Sequence, residues 1–237
     1  MNNINNIKTQ NQIADISINN AAIIAGISLL LMAIIAPIAN FSIFQELIDP
    51  SDVAKTVSNI RENIGIFRIG IVLFFIVALL DILVAWALYI FLRQQNKSLS
   101  LLTAWLRVVY ASILCVVIIN LINVLQLLNG ADYLSVFSES QLQTQIMLSL
   151  NIFNKGWEFG LIIFGFHLLL LGYLILKAGY MRKILGILIL LAALGYIIDG
   201  FGKLLLSNYS ISISMFTFIG EVILIFWLLI VGRKIKE

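Results

Sequence analysis

Residues 66–93 read IFRIGIVLFFIVALLDILVAWALYIFLR, an almost unbroken apolar run with a single carboxylate, Asp81, near its middle. About 20 apolar residues suffice to cross the hydrocarbon layer as a helix. Lipid leaves the backbone no structure but helices or closed barrels. A charge at bilayer depth costs roughly 2.5–3.5 kcal/mol on insertion scales, so Asp81 must face protein or water rather than lipid. The rest of the chain therefore has to supply it with company.

Six apolar runs of spanning length occur, at 21–41, 66–92, 99–128, 156–176, 184–206 and 211–231. They predict an all-α, polytopic six-helix bundle forming one domain over 21–232. A polar tail (1–20) precedes it and a short basic tail (233–237) follows. The first 20 residues are too polar for a signal peptide. Of the 237 residues, 61% are hydrophobic and only 11% charged, against about 25% charged in soluble domains. The net charge of +3 is spread over short loops, which excludes a nucleic-acid partner. Cys115 stands alone, so neither an internal disulfide nor a cysteine metal site is expected. No phosphate loop, dinucleotide fingerprint, nucleophile elbow or metal motif occurs, and no cofactor is expected.

Positive residues collect at one end of the spans, with Arg93, Lys97, Lys177, Arg182, Lys183, Arg233 and Lys234 joined by Lys8 and Lys236. The other end mixes Lys55, Arg61 and Lys155 with six acidic residues. The positive-inside bias then predicts that both termini are cytoplasmic. Pro37 should bend or end the first helix. In the first outer loop, Asp49-Pro50 reads as a helix start and Gly65 as a stop, with Val53, Val57, Ile60 and Ile64 at helical spacing between them. Leu142, Ile146, Leu150 and Phe153 form a similar stripe before the fourth span. Both segments predict short amphipathic helices, lying on lipid or capping the bundle.

At a rise of 1.5 Å per residue, Asp81 lies about 18 Å above Arg93 and Glu221 about 18 Å above Arg233. Arg107 and His167 lie about 15 Å above Lys97 and Lys177 on the same measure. Four ionisable residues from four spans thus share the bilayer middle. The second and third spans are joined by a tight turn, which predicts an Asp81–Arg107 pair. Ser210, Ser214, Thr217 and Glu221 are spaced 4, 3 and 4, one face of a helix and a candidate polar path. An outer polar layer holds Arg68 and Glu158, within reach of each other if their spans pack together. It also holds the i,i+4 pair Asp199 and Lys203, and Asn120 with Asn123. A lone histidine cannot build a multi-histidine metal site.

FRIG at 67–70, the mid-helix Asp81, Arg107, FGFHLLLLGYLI at 164–175, LGYIIDGF at 194–201 and Gly220-Glu221 occur in this order. Together they resemble the bacterial integral-membrane family catalogued as domain of unknown function 4386. The resemblance runs from about Ile23 to Leu229 and implies a multi-span protein of the bacterial cytoplasmic membrane. It implies no activity.

Three functional readings follow. In the first, the protein binds or transports a small molecule, lipid or ion, with Asp81, Arg107, His167 and Glu221 as ligand-binding residues. The second is an intramembrane enzyme using His167 and a carboxylate as acid and base. The third is a non-catalytic sensing or interaction protein. Membrane lipids surround it in each case, and oligomeric state is not legible.

Overall fold

The computed structural model describes residues 16–235, and Lys8, Lys236 and most of the polar tail lie outside them. Among the described residues there are helices and no strands. The chain runs through α1 (Ile18–Pro37), a π-helical stretch (Ile38–Phe44), α2 (Gln45–Leu47), α3 (Val53–Glu62), α4 (Ile64–Leu92) and α5 (Lys97–Leu128). A 3₁₀ turn (Asp132–Val136) leads into α6 (Glu139–Lys177), α7 (Lys183–Leu205), α8 (Ser214–Thr217) and α9 (Ile219–Ile230). Among the described residues, six helical stretches are long and apolar enough to cross a membrane. Outward-facing Ile, Leu and Phe side chains along them provide a lipid-compatible surface.

Each span packs on its sequence neighbours, α1 on α4, α4 on α5, α5 on α6, α6 on α7 and α7 on α9. The last closes back on the first, since α9 also packs on α1. The six spans thus form a closed ring in chain order. Lipid tails are as apolar as leucine, so close backbone approach at small residues supplies much of this association. Gly172 and Gly186 meet across the α6–α7 crossing, where a Cβ on Gly172 would stand 3.0 Å from the Gly186 carbonyl oxygen. The small face of α1 (Ala21, Ala22, Ala25 and Gly26) is buried. A Cβ on Gly26 would lie 2.7 Å from the Leu229 side chain of α9.

Two apolar cores divide the interior. One, toward the basic end, gathers Ala25, Phe91, Leu171, Leu185 and Leu228. The other, toward the opposite end, gathers Phe44, Phe67, Phe74, Leu121 and Phe153.

Several expectations need correction. Pro37 ends the α-helix, as expected, but does not stop the chain turning. It removes one backbone donor, and the helix widens past it into the π stretch, where the Gln45 N–H donates to the Asn40 carbonyl. The stripe of Leu142 to Phe153 is not a separate helix, because α6 runs unbroken for 39 residues behind a capping box at Ser138 and Gln141. Its stripe meets α3 rather than lipid, with Val57, Ile60, Ile146, Leu150 and Phe153 buried in one core. These elements cap the bundle. The start of α3 is capped by Asp52, which accepts from the Lys55 N–H at 2.9 Å, not by Asp49. Gly65 lies in the first turn of α4 and ends nothing.

Candidate functional site

Between the two cores Arg107 of α5 is 2% exposed and Asp81 of α4 is 0% exposed. Arg107 Nη2 lies 2.7 Å from Asp81 Oδ1, the pair expected from the tight α4–α5 turn. Arg107 Nη1 lies 3.2 Å from His167 Nε2 of α6, and the guanidinium sits over the Phe164 ring at 5.2 Å. The other histidine nitrogen, Nδ1, is 2.8 Å from the Thr103 carbonyl oxygen. A guanidinium only donates and a carbonyl only accepts. The imidazole must therefore carry its proton on Nδ1, accept at Nε2 and be neutral. His167 is a strut that holds Arg107, with both nitrogens engaged, and it does not border the cavity described next.

A cavity of about 320 Å³ opens beside the pair and draws its wall from all six spans. Ala33, Ala36 and Pro37 come from the first span, Val77 and Asp81 from α4, Arg107 and Tyr110 from α5. Trp157 and Phe164 come from α6, Tyr196 from α7, and Glu221 with Val222 from α9. Phe74 of this wall meets Phe153 and Trp157 edge-on, with ring centroids 5.2 and 5.3 Å apart. The Trp157 indole N–H donates to the Tyr110 hydroxyl at 3.2 Å.

The polar groups of this wall are incompletely matched. The Asp81–Arg107 contact is close but monodentate and poorly aligned. Both Asp81 oxygens, Arg107 Nε and Glu221 Oε1 lack a hydrogen-bond partner among the described residues. Buried polar atoms in native proteins are nearly always hydrogen-bonded, so a group of unmatched ones at one place calls for a physical reason. The Tyr196 hydroxyl neighbours the Glu221 carboxylate, and no lysine or arginine forms an ion pair with it among the described residues.

The expected polar path is not built as a helical stripe. Ser210 lies exposed in a non-helical segment, since the helix begins at Ser214. The Ser214 N–H donates to Asp199 Oδ2 at 2.7 Å, and the Thr217 hydroxyl turns back to the Ile213 carbonyl at 3.3 Å. Only Glu221 of the four reaches the cavity. The outer layer is also paired differently. Glu158 binds Lys155 at 2.9 Å and Lys203 at 3.0 Å, while Arg68 is exposed and makes no salt bridge among the described residues. Asp199 does not pair with Lys203. It accepts from the Tyr209 hydroxyl (2.7 Å) and from the Ile213 (2.9 Å) and Ser214 N–H groups, which fastens the α7–α8 connection. Asn123 donates to the Ser149 hydroxyl of α6 at 2.8 Å, whereas Asn120 returns to the Val117 carbonyl of its own helix. A second, much smaller pocket of about 30 Å³ lies among Glu158, Asp199 and Lys203, and it shares Leu161 and Tyr196 with the large cavity.

The aromatic wall was not anticipated. Tyr110 stands three residues after Arg107 and Phe164 three before His167, one helical turn in each case. That spacing was the available signal.

A family model described as Domain of unknown function (DUF4386) matches residues 24–232. The chain belongs to that family. The family description assigns no activity. The chain is also similar to an uncharacterized protein of the archaeon Archaeoglobus fulgidus, 39% identical over 168 residues, covering 71% of this chain and 86% of that protein. No solved structure matches it.

Proposed function

We propose that this protein binds a small amphipathic molecule inside its helix ring, in the cytoplasmic membrane, with both termini in the cytoplasm and lipid around the spans. One observation carries the reading: Asp81, Arg107 and Glu221, each with a buried polar atom that lacks a hydrogen-bond partner among the described residues, line a cavity of about 320 Å³ to which every span contributes. Small-molecule sites have this size and this make-up, an apolar aromatic wall with a few convergent polar groups. Asp81 and Arg107 would orient the ligand, Glu221 would contact it, and His167 would act through Arg107.

His167 is a poor acid or base here, since both ring nitrogens are already engaged and neither faces the cavity. The geometry therefore favours binding over catalysis. The test is mass spectrometry of the intact protein released from native membranes. Wild type should carry a bound small molecule, and Ala36→Trp, which fills the cavity, should lose it while unfolding at a similar temperature. An identical ligand load in both proteins would overturn the reading.

A further inference from the structure

Counted as ionised groups, the side chains around the cavity do not cancel in charge. Arg107 supplies one positive charge and Asp81 takes it up at 2.7 Å. The partners of His167 fix it as neutral, so it adds nothing. Glu221 then remains as a second carboxylate, with Oε1 buried and unpartnered. An anionic ligand would bring a further negative charge to a wall whose single cation is already committed.

The surroundings of Glu221 narrow the choice of cation. Phe74, Tyr110, Trp157, Phe164, Tyr196 and Phe218 all border the space. Aromatic faces attract organic cations, and tyrosine and tryptophan do so best when water is excluded. A hard metal ion instead demands six or more oxygen ligands. No group of three or more histidine, cysteine, aspartate or glutamate residues suited to a metal occurs among the described residues.

We propose that the ligand is an organic ammonium, its cationic head at Glu221 Oε1 and its hydrocarbon part against the aromatic wall. This rests on the cavity being a binding site, as argued above. Recognition would then be by charge and ring face rather than by a fixed set of hydrogen bonds.

The test uses the full chain in lipid nanodiscs and three probes of similar shape: benzyltrimethylammonium, its carbon isostere neopentylbenzene, and phenylacetate. Calorimetric titration should show the cation binding most tightly and phenylacetate least. Glu221→Gln should weaken benzyltrimethylammonium about thirtyfold, as loss of one partner from a buried charge contact does, and affect neopentylbenzene far less. Glu221→Asp, which keeps the charge, should retain most of the affinity and shows that the site still folds. Equal binding of the cation and its carbon isostere, or an unaltered cation affinity in Glu221→Gln, would overturn the ammonium assignment while the cavity stays a binding site. Binding of none of the three probes would overturn the cavity reading as well.

Discussion

At the capped end Glu158 sits between two lysines, and Asp199 accepts three hydrogen bonds that tie down the segment leading to α8. In the interior Asp81 has one misaligned contact with Arg107, and Glu221 leaves an oxygen unpartnered. Both layers are made of similar residues on neighbouring helices. The difference is what each layer does with its lone pairs. The outer one spends its polar groups on fastening helix to helix and helix to loop, from half-exposed Glu158 and Lys203 to buried Asp199. The inner one holds charge in a place where an unmatched atom is costly, beside a space large enough for another molecule. A layer of the first kind explains itself through the fold. One of the second kind points to a ligand.

The sharpest way to break this contrast is at the interior pair. Asp81→Leu or Arg107→Met alone leaves an uncompensated buried charge and should cost about 3–5 kcal/mol, whereas the double variant should recover most of the loss, because apolar replacement of a whole buried pair is often neutral. Denaturant unfolding in micelles reads it, and losses that simply add would mean that the two side chains do not act as a pair.

A smaller effect is expected at the capped end. Asp199→Ala strands the Ile213 and Ser214 N–H groups and should cost about 1–3 kcal/mol, with faster proteolysis of the segment between α7 and α8. Lys203→Met, at a side chain 34% exposed, should cost no more than about 1 kcal/mol. Should Lys203→Met prove the more damaging, the outer layer would be held by its ion pairs rather than by Asp199.

The smallest effect belongs to the loop before α3. Hydrogen bonding from the Ser51 side chain, and then from Lys55, lowers the Asp49 carboxyl from its ordinary 3.8 to about 2. A depressed carboxyl contributes stability above its unfolded value and loses it as pH falls through the folded one. Amide-exchange protection of the Ser51 N–H, which donates to the Asp49 carboxylate at 3.0 Å, should therefore stay level from neutral pH down to about 5, then decline below about 4. Decline beginning at pH 6 would assign the protection to another group.

Much of this could be read along the chain because it depends on neighbours in sequence. Span number follows from apolar length. The depth of Asp81, Arg107 and Glu221 follows from helical rise, and the Asp81–Arg107 contact follows from a connection too short to let α4 and α5 part. Sequence spacing misleads where direction around a helix matters. Glu158 and Lys203 stand 45 residues apart, and periodicity alone does not show that α6 and α7 turn those faces together. Ser210 fits the spacing of a helical stripe, yet Asp199 of another helix draws the following N–H groups and sets the start of α8 at Ser214.

Apolar length and charge placement, which are local properties, dictate a six-span helical protein with ionisable groups at a common depth. The folded ring alone makes a cavity of them: α9 closes against α1, bringing Glu221 to face Pro37, Tyr196 and Arg107 around one space. That closure depends on where small residues let backbones meet, a matter of contact between distant segments that no single stretch of chain specifies.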